Sequence, residues 1–134
     1  MKLVELLHNE DPALMEMATL QPFETGLDYV LWIGRVGGQH GPRIKVSNTK
    51  GRWRENSNFT MIIDKDDPKV SKLTEKNVLI PSSELLRIKK WIKLNFDDLM
   101  LLWYMYEHST IEARDEDTGQ IIKMDDVFDR LQKV

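Results

Sequence analysis

A chain of 134 residues, 41% hydrophobic and 31% charged, suits one domain that can bury a core without covalent staples. It holds no cysteine, which excludes a disulfide framework, a thiol nucleophile and a thiolate metal site. The formal charge of −3 hides an uneven spread: residues 1–28 carry six acids and one base, whereas residues 29–54 carry six bases and no acid.

The opening MKLVELLHNEDP has too short an apolar run and too many acids for a signal peptide. No apolar stretch reaches bilayer length, so a cytoplasmic protein without membrane contact is expected. Residues 2–8 read as a short helix with Leu3, Leu6 and Leu7 inward. Asp11 and Pro12 restart a helix over residues 13–18, because aspartate caps and proline suits the first turn. Residues 19–26, with Pro22 and Gly26, read as a loop. The expectation is an N-terminal helical hairpin covering an edge or a face of a sheet.

Residues 27–34 (LDYVLWIG) are rich in β-branched and aromatic side chains and predict a strand covered on both faces. The glycine-rich RVGGQHG that follows predicts a turn. Residues 42–48 (PRIKVSN) alternate strictly, with Ile44 and Val46 to one side and Arg43, Lys45 and Ser47 to the other. A polar loop, TKGRWRENSN, leads to a return strand over residues 59–64. Residues 65–77 predict a surface excursion, extended or with one helical turn, and residues 78–80 a fourth strand.

From Ser82 to His108 the chain predicts a helical pair. Ser83 is the expected cap of the first helix, whose Leu85, Ile88, Trp91 and Ile92 recur at helical spacing. Asn95 is the expected cap of the second, with Leu99, Leu102, Trp103 and Tyr106 as its apolar stripe. Beyond it, residues 110–113 and 120–124 flank RDEDTG as a small hairpin, with Gly119 supplying a positive φ. Asp125 should cap a last helix bearing Val127, Phe128, Leu131 and Val134. The predicted fold is a single α+β domain over residues 1–134. In it, a small antiparallel sheet of three to four strands packs against the helical pair.

The cationic stretch carries the most pointed chemistry. Arg43 and Lys45 share a strand face, and Lys50, Arg52 and Arg54 crowd around Trp53. An aromatic ring among cations can stack on an unpaired nucleobase while the cations hold phosphates. The plainer account is that the island neutralises acidic segments of its own fold, with Trp53 in the core. Arg35 and His40 belong to the glycine-rich turn, and His40 is the one candidate for proton transfer, in a reading as an enzyme. The histidines and the acid runs at Asp64–Asp67 and DEDTG lack metal-ligand spacing, and GRVGG lacks the phosphate-loop pattern. No catalytic set, metal site or cofactor is expected.

The strand HGPRIKV, with the later WIKLNFDDLMLLW, resembles the small bacterial DUF4160 family over roughly residues 29–107. That family shows a strand of the form HxPHFHV followed by a helical tail, and has no established activity. His40, Pro42 and Val46 correspond, while the family's two later histidines fall on Arg43 and Lys45. The resemblance supports the fold, removes any role needing three clustered histidines, and leaves room for an anionic partner.

The expected function is a small non-enzymatic binding protein. Its basic hairpin (Arg35, His40, Arg43, Lys45, Lys50, Arg52, Trp53, Arg54) would engage nucleic acid, an acidic protein surface or a larger nucleic-acid-handling complex. The alternative is a protein-interaction module, such as the accessory or inhibitor proteins of phages and mobile elements.

Overall fold

The structure, a computed structural model, describes residues 4–6, 17–34 and 41–134. Strand β1 (Val4–Leu6) belongs to a small second sheet considered below. The main sheet is antiparallel throughout, in the order β2 (Met17–Leu20), β3 (Tyr29–Gly34), β4 (Arg43–Lys50), β5 (Asn58–Ile62) and β6 (Lys69–Val70). Its core face follows from alternation. Leu31 lies opposite Val46, Val46 opposite Phe59, and Ile44 opposite Met61, all buried.

Those side chains join Ile88, Trp91 and Ile92 of helix α2 (Ser82–Leu94) and Leu99, Leu102 and Met105 of α3 (Phe96–Glu107) in one core. Helix α3 lies over β3. The expected α+β architecture, with helices packed on an antiparallel sheet, is what forms.

The N-terminal helices do not form where residues are described. Residues 4–6 and 17–20 are strands, and the short helix α1 (Pro22–Thr25) falls inside the expected loop. Residues 1–3 and 7–16, the rest of that expectation, lie outside the described residues. Val4 pairs with Asp115 and Leu20 with Leu31, so ladder partners override the local helical spacing. Helix α1 ends at Gly26, whose φ of 78° suits glycine. A Cβ there would lie 2.6 Å from the Val134 carbonyl oxygen, so the closing tail itself demands glycine.

The sheet gains strands at both edges relative to expectation, β2 and β6. Residues 78–80 supply neither. A 3-10 helix (Lys72–Asn77) precedes them, and its Thr74 hydroxyl accepts the Thr60 N–H at 3.0 Å, closing the outer edge of β5. Segment 78–80 is then held by one side chain instead of a ladder. Asn48 accepts the Leu79 N–H at 2.9 Å and donates to the Asn77 carbonyl at 2.9 Å.

Helix α2 starts at Ser82 because the Pro81 carbonyl already accepts the N–H groups of Glu84 and Leu85, so Ser83 is not its cap. Asn95 does stand at the start of α3, but its side chain makes no capping bond. It is buried, donates to the Trp91 and Gln132 carbonyls, and accepts the Gln132 N–H at 2.7 Å. The C-terminal segment is thereby fastened across the α2–α3 corner, and the Val134 N–H reaches the Thr25 carbonyl at 2.9 Å.

The small sheet, in the order β1–β7–β8, includes the expected hairpin, β7 (Glu112–Asp115) and β8 (Ile121–Lys123), with Gly119 at φ 72°. Helix α4 (Met124–Arg130) begins one residue before Asp125. Asp125 and Asp126 therefore sit in the first turn, favoured by the helix dipole, and do not cap it.

Replacing the buried Asn95 by alanine removes its bonds to the Trp91 and Gln132 backbone, and should lower unfolding free energy by about 1–3 kcal/mol in urea titrations. A loss too small to measure would show that the tail is not held this way. Tyr106 is buried in the core, and burial with the nearby Asp125 charge pushes its hydroxyl from 10.0 up to about 12. A raised folded value favours the protonated phenol, so its stabilisation is whole below pH 10 and fades as pH rises toward 12. Tyr106→Phe should flatten the pH dependence of stability across that window.

Candidate functional site

Every cation that the sequence suggested on the strand lies along β4 or the loop after it, and the strand decides how they group. Arg43 and Lys45 alternate with the buried Ile44 and Val46, so both side chains leave on the face away from the main core. Arg43 and Lys50 stand at opposite ends of that strand, about 23 Å apart by extended rise. The island therefore divides. Lys50, Arg52 and Arg54 gather at the β4–β5 loop, Arg43 marks the other end, and Lys45 lies between. Arg35 and His40 lie outside the described residues.

The loop cations are exposed, and among the described residues neither they nor Lys45 form an ion pair. The loop around them is ordered by its own bonds. The Ser47 hydroxyl donates to the Arg52 carbonyl, and Asn58 donates to the carbonyls of Arg54 and Glu55 at 3.1 and 2.8 Å. Ser47 shares the outer face with Lys45, so this bond draws the loop over that face. Beneath it Ser47 is fully buried, as is Val30, which stands apart from the main core. Trp53 is half-buried, and its indole N–H donates to Glu55 at 3.1 Å. It is neither a core residue nor a freely presented ring.

Arg43 is the least available cation. It is half-buried, and burial lowers its guanidinium from the ordinary value, an effect opposed by the charge of Glu107. Its Nε is buried without a hydrogen-bond partner.

Two residues of this face escaped the sequence reading. Trp32 was expected inside a strand covered on both sides; it is half-buried and pairs directly with Lys45, whose Nζ lies 4.8 Å from the ring centroid. A cation–π contact at an accessible site is worth about 0.5–1 kcal/mol. Lys69 is exposed and stands opposite Ile62, which faces Arg43. Trp32 could have been found by counting from Leu31 and Ile33 with period two. Lys69 could not, because nothing local marks its strand of two residues.

Elsewhere the chemistry is sparse. The Asp64 carboxylate accepts the N–H groups of Asp66 and Asp67 at 2.9 and 2.7 Å, and these bonds, that from Asp67 foremost, hold it below the usual carboxylate range. That is a turn closing on itself. Among the described residues no group of three histidines or acids could hold a metal ion, and no helix is long and apolar enough to cross a membrane. A groove of 590 Å³ at the α2–α3 corner sets Lys65, Lys93 and Arg130 beside Asp97 and Asp98, with Arg130 bonded to Asp98 at 2.7 Å. Family models, curated proteins and solved structures offer no match to this chain, so the DUF4160 resemblance rests on its two motifs alone.

The Ser47 bond is what ties the basic loop to the sheet. Ser47→Ala should cost about 1 kcal/mol and speed tryptic cleavage after Arg52 and Arg54 several-fold. Cleavage at the wild-type rate would show that the loop is ordered by other contacts.

Proposed function

We propose that this chain is a small binding protein whose β4–β5 hairpin engages nucleic acid, alone or within a nucleic-acid-handling complex. The observation that carries this reading is the set of exposed cations Lys50, Arg52 and Arg54, unpaired among the described residues, on a loop held to the sheet face that bears Lys45. Cations compensated within a fold sit against carboxylates; among the described residues these do not. A polyanion is the ligand that releases most counterions from such a surface. The catalytic reading through His40 falls outside the described residues.

A second reading has its own observation. Helix α2 turns Leu86, Lys90, Lys93 and Leu94 outward at i, i+4, i+7 and i+8, all exposed. Leu86 is 61% and Leu94 48% accessible, and Leu79, just before the helix, is 74%. A stripe of leucine and lysine suits the rim of an acidic protein partner, in an accessory or inhibitory role like that of phage-encoded proteins.

Fluorescence anisotropy with labelled oligonucleotides separates the two. Binding should weaken as salt rises, with a slope of about −0.7 per neutralised phosphate on single strands. Replacing Lys50, Arg52 and Arg54 by glutamine should reduce that slope by about 2 and the affinity at least ten-fold. Arg43 is left intact because its half-buried side chain has a structural part. Unchanged affinity would overturn the nucleic-acid reading. A protein recovered after nuclease treatment, kept by the glutamine variant and lost by Leu86→Glu with Leu94→Glu, would establish the second.

A further inference from the structure

We infer that the phosphate-binding surface is built from two segments of the chain, and that Lys76 completes it beside the hairpin. This rests on the nucleic-acid reading above and extends it. Residues 69–79 carry three lysines, Lys69, Lys72 and Lys76, against one acid, Glu75. Lys72 and Lys76 are exposed, and neither forms an ion pair among the described residues. The 3-10 helix that bears them ends at Asn77.

One side chain brings this segment to the hairpin. Asn48, near the end of β4, donates to the Asn77 carbonyl and accepts the Leu79 N–H, both at 2.9 Å. It also donates to the Ser57 hydroxyl at 3.3 Å, on the returning side of the loop. Lys50 is two residues past Asn48, about 6.6 Å by strand rise, and Lys76 is one Cα step of about 3.8 Å before Asn77. In the ladder Lys50 lies opposite Tyr29, a core residue, so it leaves on the face that carries α2. The segment gripped by Asn48 runs into α2 on that same face. Arg52 and Arg54 continue the exposed cations around the end of the hairpin.

These side chains offer charge without a free ring, because Trp53, the ring of the loop, is half-buried with its N–H held by Glu55. Such a surface takes the phosphates of a nucleic acid and leaves its bases unread. Asn48 is a positioning residue here: it holds Lys76 beside Lys50 and contributes no charge of its own.

The test titrates the full chain with labelled single strands of one length and two unrelated sequences, by anisotropy across a salt series. Both sequences should bind alike. Lys76→Gln should weaken binding several-fold and reduce the salt slope by about 0.7. Lys123→Gln, which removes an exposed lysine of the small sheet, should change neither. Asn48→Ala keeps every cation yet should also weaken binding, and Lys76→Gln should cost less in that background than in the wild type. Circular dichroism and a thermal melt establish that each variant folds; should Asn48→Ala not fold, Lys76→Gln against Lys123→Gln decides. Lys76→Gln binding as the wild type does, while the hairpin glutamine variant is weakened, would overturn the second segment and leave the hairpin reading standing. Equal losses from Lys76→Gln and Lys123→Gln would overturn it in favour of bulk charge, and strictly additive losses would remove the positioning role of Asn48. A preference of about ten-fold for one sequence would overturn the phosphate mode in favour of base contacts. No binding of either strand by the wild type would remove the reading on which the inference rests.

Discussion

Strand β4 fixes more of this molecule than any other element, because its two faces cannot be exchanged. Ile44 and Val46 are buried against Met61 and Phe59, while Arg43 and Lys45 leave on the other side. A slip of one residue would place two cations in the core and two branched aliphatics in water. Burying an unpaired cation costs several kcal/mol, and exposing the two aliphatic side chains costs about 1.5–3 kcal/mol each. The register is therefore held from both directions. Everything on the outer face, including the Trp32–Lys45 pair, inherits its position from that constraint.

The irregular segments are held by a different device. Where no ladder or helix is available, a single polar side chain grips the backbone of a distant segment. Asn48 holds 77–79, Asn95 holds Gln132, Thr74 closes Thr60, and Ser47 holds Arg52. Each bond gives a backbone group outside the ladders and helices a fixed partner within the chain, which short polar side chains are suited to supply. The result is a small domain whose described loops have defined positions relative to its sheet. A basic loop with a defined position can present its charges as a surface and not as a mobile tail.

Charge distribution shows what that order achieves. In the sequence the six bases of residues 29–54 form one block. In the fold the described members, Arg43 to Arg54, are spread along a strand and the loop after it, so they differ in availability. Arg43 is drawn inward near Glu107, Lys45 rests on an indole, and Lys50, Arg52 and Arg54 stand in solvent. The exposed cations are then fewer than the sequence suggests, and Lys45 has gained an aromatic neighbour from the adjoining strand. Trp53, the ring nearest in sequence, is instead engaged with Glu55.

Composition and periodicity alone determined the α+β class, the strands around Leu31, Ile44 and Phe59, the helical pair from Ser82 to Glu107, and the presence of a cationic stretch. These are legible because each depends on side chains a few residues apart: a period of two, a period of 3.6, or a run of like charge. Tertiary structure decided the rest. Residues 4–6 and 17–20 are strands because Asp115 and Leu31 reach them, Asn95 turns from its helix cap to a tail 37 positions later, and Trp32 meets Lys45 across a ladder. Such contacts join residues far apart in the chain. No local window contains both partners, and only the closed sheet brings them together.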